Sequence, residues 1–194
     1  TSLNAFATGR DPKHAAVATT TGLLDKLKDA ELEGVIAHEL SHIKNYDTRL
    51  MGVVAILVGS IAILADVFMR SMWLGGRNND RRSGNQIFLL IGIIAAIIAP
   101  IAAILIQLAV SRRREYLANA DGALLTRYPD GLADALGKIA ADRTPLKHAH
   151  TGTAHLYIEN PYKSDTKATK GNWLVNLFST HPPVDDRIKI LRAM

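Results

Sequence analysis

VIAHELSHIKNYD, running from Val35 to Asp47, is the stretch on which the reading of this chain turns. It places His38 and His42 four residues apart with Glu39 directly after the first histidine. On a helix, residues four apart lie one turn apart on the same face, so the two imidazoles can serve one metal ion. Glu39 lies about 100° round from His38, within reach of a water held by that ion. Zinc needs neutral imidazoles as ligands, and hydrolysis of an amide needs a base for the polarised water and an acid for the leaving amine. The context suits a helix from Ala30 to about Asn45. Asp29 is placed to cap it, Glu31 and Glu33 suit its first turn, and Leu32, Val35, Ile36, Leu40 and Ile43 form an apolar stripe.

Two apolar stretches follow. LMGVVAILVGSIAILADVF, from Leu50 to Phe68, carries one charge, at Asp66, and can be extended to Arg70. IFLLIGIIAAIIAPIAAILIQLAV, from Ile87 to Val110, carries none and exceeds the roughly 20 residues that cross a bilayer as a helix. Pro100 should kink that second helix without ending it. Both can alternatively be buried helices of a soluble core. The stretch between them, RSMWLGGRNNDRRSGNQ, reads as a loop, and Phe68, Trp73 and Phe88 stand where interfacial aromatics are expected. The expected organisation is therefore residues 1–49 and 112–194 as two parts of one domain, membrane helices at 50–70 and 87–111, and a loop at 71–86. In such a hairpin the residues before Leu50 and after Val110 emerge on the same side.

A catalytic zinc takes three protein ligands and keeps a fourth position open. The chain has no cysteine, so the third ligand is a carboxylate or another histidine. The hairpin brings Glu115, in SRRREYLANAD, beside the HELSH helix, although a glutamate after three arginines can equally be a surface ion-pair partner. His148, His150 and His155 include an H-A-H with ligand-like spacing, but their polar surroundings favour solvated or structural roles. Asp47, five residues after His42, should pack near the site.

Charge narrows the partners. The 23 Lys and Arg against 18 Asp and Glu give a net +5, too small and too scattered to point to nucleic acid. Arg112, Arg113 and Arg114 directly follow the second apolar run and read as an anchor to lipid headgroups. Arg70, Arg77, Arg81 and Arg82 in the loop nearly balance Lys44, Arg49 and Arg112–Arg114 at the other ends, so charge does not orient the hairpin.

At the start, LNAFAT and AAVATTT have strand character around the turn-like GRDPKH. After the second apolar run, REYLANADGALLTRY continues as helix and PDGLADALGKIAADR forms another, capped by Asp130. The stretch from Thr144 to Asn172 reads as a loop, and a short helix closes the chain from about Asp185 to Leu191.

NAFATG, HELSHIKNYD, the apolar hairpin, SRRREYLANADGA and THPPVDDRI occur in the order seen in HtpX-type membrane zinc endopeptidases, relatives of the CAAX prenyl endopeptidases. The resemblance covers almost the whole chain. It implies an α+β, zincin-like metalloprotease domain, mainly helical with a small sheet and interrupted by a two-helix transmembrane hairpin. It further implies one Zn2+ per chain in a gluzincin-type site, with His38, His42 and Glu115 as ligands and Glu39 as general base and acid. His181 is expected to stabilise the oxyanion, with Arg187 assisting or holding His181 in place; a loop histidine fixed by Pro182 and Pro183 is the plainer reading. Asn4, Ala5 and Phe6 would be an edge strand that takes a substrate backbone by strand addition, or an ordinary sheet edge.

The implied setting is the bacterial inner membrane, multi-pass with the site facing the cytoplasm, and the implied role is cleaving misfolded membrane proteins as part of a stress response. The family carries further membrane helices at its amino-terminal side, expected to lie upstream of TSLNAFATGR. One departure stands out. Where the family has Asp four residues after the ligand glutamate, this chain has Asn119, which can accept a hydrogen bond from a ligand histidine but brings no negative charge. Loss of such a partner typically costs about 10–100-fold in metal affinity or activity. A membrane adaptor that retains a structural zinc but no longer cuts is therefore the alternative.

Overall fold

The computed structural model describes residues 2–75, 85–142 and 181–194. His148, His150, His155 and the stretch from Thr144 to Asn172 lie outside the described residues, as do Arg77, Arg81 and Arg82. The described fold is mostly helical with one small sheet. Strands β1 (Ala5–Gly9) and β2 (Ala15–Thr19) pair antiparallel, Ala5 opposite Thr19 and Gly9 opposite Ala15. The turn between them is built by Asp11, whose carboxylate accepts from the backbone N–H of Lys13 and His14 at 3.0 Å. Helices α1 (Thr21–Lys26) and α2 (Asp29–Lys44) follow, then the long α3 (Asp47–Gly75) and α4 (Asn85–Thr126), then α5 (Pro129–Ala141) and α6 (Val184–Leu191).

The chain forms two compact units. One joins Thr1–Leu50 to Val110–Met194, and the other is Met51–Ala109. In the first, Leu23, Val35, Leu132, Leu136, Ile139 and Leu191 make a common core, each 1% exposed or less. Burying side chains of this size contributes about 1.5–3 kcal/mol apiece. Helices α2 and α5 meet with their backbones nearly touching. A Cβ on Gly34 would lie 2.7 Å from the Leu132 nitrogen, and one on Gly131 2.5 Å from the Ala30 oxygen. Small residues at these two positions thus set the helix–helix distance.

Two details of α2 differ from the sequence expectation. Lys28, not Asp29, occupies the cap, and its backbone N–H donates to Glu31 Oε2 at 2.8 Å. Glu31 in turn holds Lys138 of α5 at 2.6 Å, so the acid in the first turn both closes the helix end and ties it to its neighbour. The buried face also matches the apolar stripe only in part: Val35 is buried in the core, but Leu40 is 44% exposed, while Gly34, Ala37, His38, Glu39 and Ser41 are buried. Packing against α5, β1 and α4 selects the small and polar face, and Leu32, Ile36 and Leu40 line an open groove with Leu125. In α5, Tyr128 caps with Pro129 as the first helical residue, so Asp130 falls within the first turn instead of at the cap.

In the second unit, α3 and α4 supply two stretches long and apolar enough to cross a membrane. Their large side chains stand outward: Ile56 is 70% exposed, Leu64 69% and Ile106 63%. α3 runs as helix to Gly75 and α4 starts at Asn85, so helix reaches into both ends of the stretch read as loop. α4 continues through Pro100. Gly92 admits the Phe68 ring, whose Cζ would lie 2.5 Å from an added Cβ. Arg70 pairs with Asp66 one turn back at 2.7 Å.

Candidate metal centre

The centre is assembled from α2, the first residue of α3, the part of α4 beyond residue 111, and α6 with the residues leading into it. All belong to the first unit. His38 and His42 project from one face of α2, their rings edge-on with centroids 4.7 Å apart, and their Nε2 atoms 3.2 Å from each other. Glu115 arrives from α4. Its Oε2 lies 3.7 Å from His38 Nε2 and its Oε1 3.5 Å from His42 Nε2. That approach needs α4 close to α2, and Gly122 permits it: a Cβ there would sit 3.1 Å from the His38 backbone nitrogen.

Zinc with bonds of about 2.0–2.1 Å in tetrahedral array separates its ligand atoms by about 3.3 Å. The imidazole nitrogens are 3.2 Å apart and the two Glu115 oxygens lie 3.5 and 3.7 Å from them, close to that spacing, with one ligand atom from each residue within 4.8 Å of the others. Electrostatics favour metal binding at His38 and Glu115 and oppose it at His42 in the metal-free protein. Burial holds His38 well below the usual imidazole range, with the charges of His42 and Arg187 pushing the same way, so it is in the neutral form that binds metal. Burial works against ionisation of Glu115, but His181 and Arg187 outweigh it and hold the carboxyl well below its usual range. For His42, burial pushes down while the Asp47 hydrogen bond and the Glu115 carboxylate push up and prevail.

Glu39 is 2% exposed. Burial drives its carboxyl up to about 7, with Glu115 adding to the rise while His42, Arg187 and the backbone amide of Ala7 restrain it. A carboxyl poised there can both take and return a proton near neutral pH.

His181 Nδ1 lies 3.3 Å from Glu115 Oε1, and Arg187 Nη1 lies 3.4 Å from Glu115 Oε2. Arg187 is fully buried, with Nη2 3.3 Å from His38 Nε2 and donating to Asn119 Oδ1 at 2.9 Å. Here the structure departs from the sequence reading: the Asn119 oxygen accepts from Arg187 and not from a ligand histidine. The residue on a histidine is Asp47, whose Oδ2 lies 2.7 Å from His42 Nδ1. Asp47 is in turn gripped by Arg114, so this arginine faces inward instead of anchoring to headgroups. The Asp five residues after His42, at the start of a helix, is the sequence feature that could have revealed this. Asp121 accepts from Asn45 Nδ2 at 2.6 Å and takes no part in the centre.

The substrate-binding candidates lie along β1. Asn4 and Ala5 are buried and Phe6 is half-buried. Thr20 N–H donates to the Asn4 carbonyl at 3.0 Å, which puts the main-chain groups of Asn4, Phe6 and Thr8 toward β2. Those of Ala5 and Ala7 then face the other edge, which pairs with no strand among the described residues. On that edge the Ala5 N–H is taken by Asn4 Oδ1 at 3.0 Å.

A His-His-Glu set that could hold a metal ion, with His38 and Glu115 buried and His42 partly so, lies beside a buried glutamate of raised pKa, and comparison with known proteins points to a peptidase. The chain matches Peptidase family M48 over residues 1–194 and belongs to that family. Among its relatives, a protein named Protease HtpX homolog from Dictyoglomus thermophilum is 52% identical over 191 residues, covering 98% of this chain and 60% of that protein. Proteins of the same name from Caldanaerobacter subterraneus subsp. tengcongensis (51% over 195 residues) and Tropheryma whipplei strain Twist (50% over 192 residues) each cover 98% of this chain and 62% of their own length. The chain thus spans about 60% of the length of these relatives. No solved structure gives a significant match.

Proposed function

We propose that the chain is the catalytic part of an HtpX-like, membrane-integrated zinc endopeptidase with a zincin-like site. The observation that carries this reading is the convergence of His38, His42 and Glu115, one ligand atom from each lying within 4.8 Å of the others, with the His38 imidazole held neutral and the Glu115 carboxyl held ionised. A bound zinc would supply Lewis-acid polarisation of a water and of the scissile carbonyl. The rest is the work of side chains. Glu39 takes the proton of the attacking water and delivers it to the leaving amine, which its carboxyl can do reversibly near pH 7. His181, 3.3 Å from Glu115, would donate to the oxyanion as charge develops, with Arg187, 3.4 Å from Glu115, assisting or holding His181 in place. The edge of β1 that carries Ala5 and Ala7 lies beside Glu39, through the Ala7 amide, and would align an extended substrate along Asn4–Phe6 by strand addition.

α3 and α4 fit a bilayer, because their outward apolar side chains need an apolar surrounding that no described part of the protein supplies. On the resemblance to HtpX-type proteases, the reading extends to polypeptide substrates drawn from membrane proteins, a quality-control role under stress, and an inner-membrane location with the centre on the cytoplasmic side. The test is zinc content of the detergent-purified protein together with casein cleavage by the native and Glu39→Gln forms. One zinc per chain with cleavage abolished by the substitution is the expected result. Bound zinc without cleavage in either form would instead favour the silent adaptor, and absence of zinc after supplementation would overturn the reading.

A further inference from the structure

Asp47 and Arg114 are charged, tightly engaged and unused by the mechanism above. Asp47 is 5% exposed and opens α3. One of its carboxylate oxygens meets His42 Nδ1 at 2.7 Å and the other accepts from the Arg114 guanidinium. Arg114 Nη2 also donates to the Asn45 carbonyl at 3.0 Å. Between them Tyr46 sits at φ 55, in the left-handed region that a tyrosine seldom adopts, so the link from α2 to α3 is held and not relaxed. Arg114 immediately precedes Glu115. One turn of α4 thus engages His42 from both sides, with Glu115 Oε1 3.5 Å from Nε2 and Arg114 acting through Asp47 at Nδ1.

An acceptor at Nδ1 keeps the imidazole proton there and leaves the Nε2 lone pair pointing at the Glu115 side, while negative charge on that acceptor strengthens the nitrogen as a donor to metal. The other candidate ligand has no such help: His38 Nδ1 is buried without a hydrogen-bond partner among the described residues. Asn119, four residues after Glu115, is engaged with Arg187.

We propose that Asp47, fixed by Arg114, is the positioning residue that sets the tautomer and orientation of His42 and so the affinity of the centre for zinc. This rests on the metal reading of the same centre. It also ties the α2–α3 junction to the metal site, since Arg114 holds both the Asn45 carbonyl and the Asp47 that meets His42.

The test is the zinc dissociation constant of the full detergent-purified chain, measured by competition with a chromogenic chelator, and the visible spectrum of the cobalt-substituted form. Asp47→Asn keeps an acceptor and a residue suited to a helix start but removes the charge. It should weaken zinc binding about 10–100-fold and shift the cobalt bands, with the metal-free protein still folded by circular dichroism. Arg114→Gln should weaken binding in the same direction, Arg114→Lys should restore part of it, and the exposed neighbour Arg113→Gln should do nothing. The Asp47→Asn/Arg114→Gln double variant should bind no more weakly than Asp47→Asn alone, because the two act through one contact. If Asp47→Asn does not fold, the arginine series decides. Unchanged affinity and spectrum in folded variants, beside native protein that binds zinc, would overturn this inference and leave the metal reading standing. Native protein that binds no zinc would overturn both.

Discussion

Replacing Glu39 by glutamine should stabilise the metal-free protein, and should do so only where Glu39 would be ionised. The carboxyl is 2% exposed and held up at about 7 by burial, against an ordinary value of 4.5. A carboxyl whose pKa is raised on folding binds its proton more tightly in the folded state. Its contribution is favourable below pH 4.5 and is lost as the pH rises through about 7. At about 1.36 kcal/mol for each pH step between those values, an ionised Glu39 costs the fold about 3 kcal/mol. Glutamine keeps the shape and carries no charge, so it escapes that cost. In a chain of this length each kcal/mol moves the melting temperature by roughly 2–4 °C, so the chelator-treated variant should melt on the order of 6–12 °C above the native form at pH 8.5. At pH 5 the two should nearly coincide. The assay is thermal unfolding by circular dichroism across that pH range in detergent. A gap that stays constant with pH, or a variant that melts lower at pH 8.5, would refute the reasoning that burial drives the Glu39 pKa.

Glu115→Gln removes the one carboxylate of the ligand triangle, and zinc measured by mass spectrometry after dialysis should fall from one per chain to a small fraction. Gly131→Ala places a methyl group 2.5 Å from the Ala30 carbonyl; it should cost about 1–3 kcal/mol by forced separation of α5 from α2, read from urea unfolding. Leu132→Ala, at 1% exposure in the same contact, should cost about 2–5 kcal/mol in the same measurement. Asn119→Asp would turn the hydrogen bond to Arg187 into a charged one and draw that cation from Glu115. Zinc should bind more tightly, by about tenfold, by chelator competition.

Much of the centre was legible because it rests on local periodicity. His38, Glu39 and His42 are close in sequence, and helix geometry alone brings the two imidazoles together. Glu115 was reachable because two apolar stretches of bilayer length imply a return to the same side. The paired strands at the start were legible from turn chemistry at Asp11 and Pro12. What escaped depends on which way a side chain points after distant elements pack. Arg114 looked like a headgroup anchor because three successive arginines share a sequence context, yet on a helix they point about 100° apart, and only one meets Asp47. Asn119 was expected on a histidine because the resembled family has an Asp at that position, but Arg187, 68 residues further on, takes its oxygen. Leu40 looked like core by its spacing, whereas the backbone contacts at Gly34 and Gly122 need the face lined by small residues.

The near contact of Gly122 with the His38 backbone has a bearing on metal choice. A glycine there acts as the gauge of the site, because the gap between the helix that carries both histidines and the helix that carries Glu115 is limited by main chain and not by adjustable rotamers. A methyl group 3.1 Å from His38 N would push the helices apart by a few tenths of an ångström, while a metal polyhedron tolerates only about 0.2 Å in each bond. A single hydrogen in place of a methyl group, about two turns from Glu115, therefore helps fix the radius of ion that the three ligands can share.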